Sequence, residues 1–597
     1  MPHHLVLCKF VPMLNALTVA LDGDESGMSR AARSMTQQGF TRTNRIDWPG
    51  GMLDGWSNAA QASVTDCIVQ SAAGRACCIG PIWYRGTFGK VALRHLLDEI
   101  DDQTWIDETQ LHGNFAMFLC KEGKAWLFND SPGFLRIYSS EDKRYYSTSW
   151  LATRAYAGSA NIHEAAAIEY VLLGATHSDQ TVAPSVSKLP LGCTFDLGKR
   201  CITRRFPDGI SAGARRFTSI NDGVESIASH LSTVFAEIAT AFPGKSVAAL
   251  SGGFDSRLIV AGLVASGVRP QLFVYGNDGS QDVTIAMSIA QAESLPLRVV
   301  DKDAMNAQLP AATLETLTRN ALFFDGLSND GVLDSGADRA TRLMQSAEGA
   351  IALNGGGGEI FRNFFHLPGG RFHAIDLVHA FYRGFDASVF RRAGGLESYE
   401  VGLATSIARS IINDPSMSYG NCEQMAFDHA FEREQIELIY PLFRCHHWMG
   451  LNNSIALRCG YFATPLIDLT LLRDASMLPL VWKNAGLFES RLIAQLHPRI
   501  ARHVSAYGFR FSEGPDRRAR WNEWITSKRP VFARPAISAL RRKMRPTGAS
   551  RTMIAKWRGI MKGEWRLDQV LDLERLHDDA SFSRALAVEV VSRALTP

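Results

Sequence analysis

Residues 246–256 read SVAALSGGFDS, an apolar run followed by a glycine pair and a short polar segment. The apolar run predicts a buried strand at Ser246–Leu250, and the residues after the glycines predict a helix at Asp255–Ser266. We expect another helix before this unit at Val224–Phe242 and a second strand after it at Gln271–Val274. This alternation of strands and helices predicts an α/β domain whose parallel sheet has right-handed crossovers.

The junction between this strand and this helix has the chemistry of an anion site. Glycine amides can approach phosphate oxygens closely, and a helix N-terminus adds partial positive charge and unpaired donors. Ser251 and Ser256 add hydroxyl donors, and the loop lacks the Gly-Lys-Ser/Thr ending of a Walker loop. Asp255 repels phosphate unless it holds a Mg²⁺ ion that the phosphates share. A plain strand-to-helix turn with Asp255 as N-cap is the alternative interpretation.

The rest of the chain divides into a β-rich first part and a mixed second part. Short apolar runs between turn signals recur over residues 1–210, and a stretch without periodicity at 205–217 marks the expected boundary. In the second part, a strand at Ala350–Leu353 ends in another glycine-rich loop, and the pattern after about residue 375 is mainly helical. We therefore expect two domains, 1–210 and 211–597.

Composition narrows the class of protein. The 597 residues are 46% hydrophobic and 21% charged, and the formal net charge of +3 gives no indication of a nucleic-acid partner. The longest apolar runs are far shorter than the ~20 residues of a membrane span, and the N-terminus does not have the pattern of a signal peptide. Ten scattered cysteines without metal-like spacing are expected to be reduced and mostly buried. We therefore expect a cytoplasmic protein without a membrane partner.

Several motifs, taken in order, resemble the asparagine synthetase superfamily of ATP-pyrophosphatases. Ser251–Ser256 is similar to its SGGxDS pyrophosphate loop. The segments similar to its other motifs are Leu111–Ala116, Phe128–Tyr138, Tyr145–Leu151, Thr181–Gly192, Val274–Gly276 with Asp282, Leu353–Phe361, Thr464–Asp468 and Lys483 through Arg510. The resemblance implies an α/β protein of two domains. The first is an N-terminal β-rich glutaminase-like (Ntn-type) sandwich. The second is a C-terminal α/β ATP-pyrophosphatase domain with a parallel sheet and a helical extension.

The resemblance also implies ATP and Mg²⁺ as cofactors and suggests which residues bind them. The residues expected to contact the nucleotide are Leu250, Ser251, Gly252, Gly253, Asp255, Ser256, Val274, Tyr275, Gly276, Gly355, Gly356 and Gly357. Asp255 and Glu359 are expected to hold the metal ion.

The chain departs from the family pattern in both domains. Glutamine-dependent members use a cysteine directly after the initiator methionine, whereas this chain has Pro2. Cys8 is the nearest cysteine, but it cannot supply the terminal amine, so we expect no glutaminase activity. Gly358 stands where the family has a metal-binding Asp. Glu359 therefore either takes over that role or caps the following helix.

The family lysine that stabilises departing pyrophosphate has no counterpart at residues 505–510. Arg510 is the candidate substitute, because a guanidinium can clamp phosphate through two hydrogen bonds. Lys483 is a second candidate, with a solvated surface lysine as the alternative, and Tyr507 is expected to orient the amine nucleophile. The expected catalytic residues are Asp255, Glu359, Arg510 and Lys483.

Family branches without the glutaminase nucleophile include β-lactam synthetases and lasso-peptide macrolactam synthetases. Chain length and a basic stretch with tryptophans at 517–566 favour the lasso branch. That branch implies an enzyme that adenylates an Asp or Glu side chain of a precursor peptide and joins it to the peptide's N-terminal amine. A leader peptidase is then the expected partner protein. A small-molecule amide or β-lactam synthetase and a non-catalytic scaffold are alternatives.

The basic stretch 517–566 has three interpretations. It can be a solvated helix face with core tryptophans, a docking surface for a peptide or protein, or a nucleic-acid site in which the tryptophans stack on bases. Nucleic acid is the least expected of these partners.

Overall fold

The computed structural model of the chain describes residues 13–21, 24–58, 67–100, 105–206, 209–211, 214–329, 332–382, 387–413, 417–544 and 548–594. Pro2 and Cys8 lie outside these ranges. The described residues form an α/β protein with three antiparallel sheets, one parallel sheet and many helices. No helix in these ranges is long and apolar enough to cross a bilayer. The described cysteines are free, and most are buried, as expected from their scattered spacing.

The first part of the chain is rich in strands, as its turn-separated apolar runs predict. The strands are β1 (Ala16–Ala20), β2 (Thr41–Trp48), β3 (Gly51–Ser57), β4 (Ile68–Ser71), β5 (Gly74–Ile79), β6 (Ile82–Tyr84), β7 (Thr87–Phe88), β8 (Leu111–Gly113), β9 (Ala116–Lys121), β10 (Lys124–Asn129), β11 (Tyr138–Ser140), β12 (Tyr145–Ser147), β13 (Val186–Lys188), β14 (Cys193–Asp196) and β15 (Cys201–Arg204). One six-stranded sheet has the order β13-β11-β12-β1-β3-β2, and the other has the order β15-β14-β10-β9-β5-β4. Leu17 and Leu53 of one sheet share a fully buried cluster with Phe118 and Leu127 of the other. The two sheets therefore pack face to face as a sandwich.

The second part alternates strands and helices around a five-stranded sheet. Its strands are β16 (Ser246–Ala249), β17 (Gln271–Tyr275), β18 (Leu297–Val300), β19 (Ile351–Leu353) and β20 (Phe462–Ala463). Every pair in the order β18-β17-β16-β19-β20 is parallel. The chain winds outward from β16 in one direction and then restarts at β19 on the other side. This reversal puts the topological switch point, the usual ligand crevice of such sheets, between β16 and β19.

Helices cover the sheets and build most of the chain after residue 374. They are α1 (Glu25–Gln37), α2 (Lys90–Glu99), α3 (Trp150–Ala157), α4 (Glu164–Leu173), α5 (Ile220–Ala241), α6 (Phe254–Ala265), α7 (Gln281–Ala292), α8 (Lys302–Ala307), α9 (Leu314–Phe323), α10 (Ala337–Gln345), α11 (Ala374–Ala380), α12 (Gly395–Ile412), α13 (Tyr419–Asp428), α14 (Arg433–Glu437), α15 (Gly450–Leu457), α16 (Leu469–Ser476), α17 (Leu480–Lys483), α18 (Leu487–Leu496), α19 (Pro498–Ala501), α20 (Arg517–Lys528), α21 (Arg534–Met544), α22 (Arg551–Ile560) and α23 (Asp579–Ala594). The predicted helix after the first glycine loop is thus confirmed as α6, and the one before it as α5.

Buried polar contacts join the β-rich part to the second part. The backbone N–H of Thr464 donates to Asn114 Oδ1 at 2.6 Å, and the N–H of Arg136 donates to Ser454 Oγ at 3.0 Å. Asn114, Thr464 and Arg136 are all nearly fully buried. Because buried polar groups are costly without partners, these bonds fix how the two parts meet.

Candidate functional site

Two glycine loops meet at the switch point of the parallel sheet. The first follows β16 and leads into α6, and the second follows β19 at residues 354–358. A Cβ atom on Gly355 would lie 2.7 Å from the carbonyl carbon of Asp255 and 2.9 Å from the amide nitrogen of Ser256. A side chain at Gly355 would therefore force the backbones of the two loops apart.

The first loop directs its amide groups at oxygen atoms. The N–H of Ser251 donates to Ser256 Oγ at 3.0 Å, and the N–H of Gly253 donates to Ser251 Oγ at 3.2 Å. The N–H of Gly252 donates to Asp282 Oδ1 at 2.8 Å. A phosphate group at this loop must therefore take the place of these internal acceptors. The sequence grouped Asp282 with the segment Val274–Gly276. In the structure, its carboxylate competes with phosphate for the N–H of Gly252.

A cavity of about 240 Å³ lies beside the carboxyl ends of the strands. Its walls include Ala249 at the end of β16, Tyr275 at the end of β17 and Asn354 at the start of the second loop. The aromatic ring of Tyr275 is exposed, while Val274 is buried inside its strand. Of these two neighbouring residues, only Tyr275 can contact a ligand through its side chain.

Three carboxylates converge on one guanidinium where the loops meet. Arg362 Nη2 lies 2.8 Å from Asp255 Oδ1 and 3.6 Å from Glu359 Oε1. Arg362 Nε lies 2.9 Å from Glu489 Oε2, yet its N–H does not point at that oxygen. Neither oxygen of the fully buried Glu489 accepts a hydrogen bond within the described ranges. Arg362 and the three carboxylates thus form an ion-pair network in which the carboxylate of Glu489 accepts no hydrogen bond within the described ranges.

The cluster holds more negative charge than its guanidinium can neutralise. Burial raises the pKa of Asp255 to about 6, although the guanidinium of Arg362 opposes this increase and Glu359 adds to it. Burial and the adjacent Asp255 carboxylate raise the pKa of Glu489 well above its ordinary value. Surplus negative charge on hard oxygen donors suits Mg²⁺. These residues therefore fit the ion that the resemblance implies, with Glu489 as a third candidate ligand.

The position of Gly358 explains one departure from the family pattern. A Cβ atom there would collide with Asp255 Oδ1 and approach Glu489 Oε1 to 3.1 Å. The space that an Asp side chain at this position would need is filled by two other carboxylates. Helix α18 supplies the second of these carboxylates, on a face that Phe488 and Leu492 bury in the core.

Glu359 is not a helix cap. It lies in the single turn Gly358–Phe361, where no side chain caps the N-terminus, and the hydroxyl of Tyr440 donates to Glu359 Oε2. The capping alternative is therefore wrong, and the metal role remains a prediction.

Lys483 is not a solvated surface residue. Its side chain is 1% exposed, and its Nζ lies 2.5 Å from Glu437 Oε2. Burial lowers the pKa of Lys483, and Glu437 partly opposes this. The alternative of a solvated surface lysine is thus wrong, because the side chain is buried and ion-paired. The residue also lines a large cavity of the site. Its role toward pyrophosphate remains a prediction.

A larger cavity of about 690 Å³ opens next to the carboxylate cluster. Its inner wall includes Phe254, Glu359 and Arg362, and its outer wall is formed by α20 and α21. Tyr507 also lines it, and its ring centroid lies 4.8 Å from that of Phe254. This position agrees with a ligand-facing role for Tyr507. The cavity is large enough for a side chain together with part of a peptide backbone.

Arg510 points elsewhere in this structure. Its side chain is 52% exposed, and its Nη1 lies 3.1 Å from Glu513 Oε1. In the described part of the chain, no hydrogen bond or ion pair joins this guanidinium to either loop. The structure instead brings Arg362 to the loops. The predicted role of Arg510 toward pyrophosphate thus requires its side chain to move.

The two pairs of tryptophans in the basic stretch differ in burial. Residues 517–544 carry nine Lys or Arg side chains and one acidic side chain. Trp521 and Trp524 are 59% and 52% exposed and stack on each other with ring centroids 5.1 Å apart. Trp557 and Trp565 are buried in the core. The core interpretation is therefore confirmed for the second pair and wrong for the first, which lies on α20, a helix that lines the large cavity through other residues.

The sequence analysis missed Arg362, Glu489 and Tyr440 as residues of the site. Two of them carried a signal. Arg362 directly follows the second glycine motif, and Glu489 is an isolated acid within the apolar pattern of α18. Tyr440 carried none, because it approaches Glu359 only through the packing of a distant helical segment, Tyr440–Met449.

Comparisons with known proteins add little to this geometry. No family model matches the chain, and no curated protein matches it significantly. Among solved structures, one similar chain is the glutamine phosphoribosylpyrophosphate amidotransferase from B. subtilis complexed with ADP and GMP, with 11% sequence identity and a TM-score of 0.19. The match covers 48% of this chain and 65% of that chain, so this chain spans less than two thirds of its neighbour's length. A score this low supports no conclusion about function.

Proposed function

We propose that this protein is an ATP-dependent amide-forming ligase that releases AMP and pyrophosphate. The observation that carries the proposal is the meeting of two glycine loops and a surplus of buried carboxylates at the switch point of a parallel sheet. One cavity flanks this point on the strand-end side, and a larger one flanks it on the helical side. We assign the smaller cavity to the adenosine and the larger one to the carboxylate substrate.

In this proposal, the chain's own residues hold the reactants and balance charge. The amides and hydroxyls of Ser251 and Ser256 receive the phosphates, and Tyr275 contacts the base. Asp255, Glu359 and Glu489 would hold Mg²⁺, which would supply charge neutralisation for the departing pyrophosphate. Once a carboxylate has attacked the α-phosphorus, a mixed anhydride and pyrophosphate result. An amine held in the larger cavity then attacks the acyl carbon and expels AMP.

We further propose a peptide as the substrate, as in lasso-peptide cyclisation. The outer wall of the larger cavity is basic, with Arg529, Arg534 and Arg541 lining it, and the exposed Trp521 and Trp524 lie on α20, which supplies part of that wall. Such a wall favours an acidic peptide whose Asp or Glu side chain is adenylated and whose N-terminal amine closes the ring. A leader peptidase that exposes this amine is the partner that the proposal requires.

The test is product analysis with labelled ATP. Purified protein is incubated with Mg²⁺, ATP and peptides that carry a free N-terminal amine and an internal Asp or Glu. We expect AMP and pyrophosphate together with a peptide lighter by one water, and we expect Asp255→Asn to abolish all three. Asp303→Asn, an exposed acid on α8, is the matched control and should leave turnover unchanged.

The other outcomes discriminate between the alternatives. AMP formation with small carboxylates but with no peptide would support a small-molecule amide or β-lactam synthetase. ADP and phosphate as products would refute AMP-forming chemistry. Failure to bind ATP at all would support a non-catalytic scaffold.

A further inference from the structure

Two histidines and an aspartate meet at the boundary between the β-rich part and the second part of the chain. His112 lies on β8, His230 on α5, and Asp468 at the N-cap of α16. His112 Nδ1 lies 3.1 Å and His230 Nε2 lies 2.6 Å from the same oxygen, Asp468 Oδ2. The three side chains come from distant parts of the sequence. Their meeting is therefore a product of the fold.

The donor atoms are arranged as a small chelating set. The three potential ligand atoms all lie within 4.8 Å of one another, and the two imidazole rings are tilted by 60° at a centroid distance of 5.5 Å. Two imidazole nitrogens and one carboxylate oxygen are a ligand set that Zn²⁺ takes in proteins. Ligand atoms about 2 Å from a zinc ion lie roughly 3.3 Å apart in a tetrahedral site. The 3.1 Å separation is close to that spacing, whereas the 2.6 Å separation is about 0.7 Å shorter, so His230 or Asp468 must shift to admit the ion.

Neighbouring groups hold the ligand oxygen in place. The second oxygen of Asp468, Oδ1, accepts the backbone N–H of Leu471 at 2.8 Å, which fixes the carboxylate plane. The side chains of His112, His230 and Asp468 are only 12%, 22% and 10% exposed. An oriented carboxylate and a shielded site favour a stable metal complex.

A second acidic side chain adds negative charge near the cluster. Glu237 lies two turns beyond His230 on α5 and interacts electrostatically with His112, His230 and Asp468. Its buried atom Oε2 has no hydrogen-bond partner within the described ranges. A buried carboxylate oxygen without a partner is costly unless a cation or a water molecule is near it. The charge of Glu237 therefore favours a cation at the three ligand atoms.

We propose that His112, His230 and Asp468 bind one Zn²⁺ ion that joins the β-rich part to the second part of the chain. The ion would hold β8 against α5 and α16 and act as a structural clamp. Within the described ranges, no hydrogen bond or ion pair joins these three side chains to the carboxylate cluster around Arg362. Zinc binding can therefore be measured without the ligase reaction.

Zinc binding to the full chain tests the proposal. The protein is stripped with a chelator, dialysed and titrated with Zn²⁺ alone against a chromophoric competitor, and Co²⁺ is added separately to record its visible absorption. We expect one equivalent of Zn²⁺ with submicromolar affinity. His230→Ala should weaken binding by at least about 100-fold and remove the Co²⁺ bands. His577→Ala, which alters a histidine whose Nε2 lies 3.2 Å from Asp578 Oδ2, is the matched control.

A second variant guards against misfolding. Glu237→Gln leaves the three main ligands intact, and it should lower zinc affinity by about 10-fold while the far-ultraviolet circular dichroism stays unchanged. If the wild-type chain takes up no zinc, the three side chains form only a hydrogen-bonded cluster and the proposal is wrong. Equal zinc affinity in the wild type and in a folded His230→Ala variant would also overturn it.

Discussion

Replacing Asp255 by Asn should change how stability depends on pH and on Mg²⁺. The pKa of this carboxyl is raised from 3.8 to about 6, chiefly by burial. Between these two values the folded protein holds a proton that the unfolded chain has released. This contribution to stability is fully present below about pH 4 and is lost as pH rises through about 6.

The size of the effect follows from the pKa interval. At 1.36 kcal/mol per pH unit, the interval from 3.8 to about 6 corresponds to about 3 kcal/mol. Asn resembles the protonated acid and cannot lose this proton. In the presence of a chelator, raising the pH from 4 to 7.5 should therefore stabilise Asp255→Asn relative to wild type by about 3 kcal/mol of unfolding free energy.

Mg²⁺ should offset most of this change at neutral pH. A ligand at one hundred times its dissociation constant stabilises the folded state by about 2.7 kcal/mol. Wild type should gain this stability at pH 7.5, whereas Asp255→Asn should gain much less. Urea unfolding at several pH values with and without Mg²⁺ measures both effects, and Asp303→Asn serves as the control. A constant difference across pH, or equal Mg²⁺ stabilisation of both proteins, would refute the assigned charge surplus.

Gly355→Ala should cut ATP affinity at least about 10-fold because its Cβ would press on the backbone of Asp255. Gly369→Ala, with open space around it, should leave the affinity unchanged, and equilibrium dialysis with labelled ATP measures both affinities. Lys483→Met should lower the free energy of unfolding by about 1.5–3 kcal/mol in urea titrations because the buried Glu437 loses one of its two cationic partners and keeps only Arg433, and an unchanged midpoint would contradict the buried pair. Replacing Trp521 and Trp524 together by Ala should change the free energy of unfolding by no more than about 0.5 kcal/mol, because both rings are exposed. The same change should weaken the binding of acidic peptides by about 10-fold or more in fluorescence anisotropy, and unchanged binding would argue against docking at these residues.

Periodic and local features of the fold could be predicted from the sequence. The strand before the first glycine loop and the helix after it follow from apolar runs and glycine positions, and the structure places them at Ser246–Ala249 and Phe254–Ala265. The parallel sheet follows from their alternation. The order of its strands does not, because hydrophobic patterning carries no information about which buried strand pairs with which.

The candidate site was only partly predictable for a similar reason. Asp255 and Glu359 stand beside glycine motifs and could be found by local pattern. Arg362 belongs to the site because its side chain reaches back across the loop, and Glu489 because α18 packs against α6. The burial of Lys483 was also out of reach, since a lysine at the end of a short helix gives no sign of the cavity that it lines.

Binding of ATP to the chain tests the central claim most directly, since every step of the proposed reaction needs the nucleotide at the two loops. Isothermal titration compares ATP with and without Mg²⁺ for wild type, Asp255→Asn and Asp303→Asn. Our account predicts one site per wild-type chain, tighter with Mg²⁺, and a loss of the Mg²⁺ dependence in Asp255→Asn alone. Absence of binding to wild type, or equal Mg²⁺ dependence in all three proteins, would contradict it.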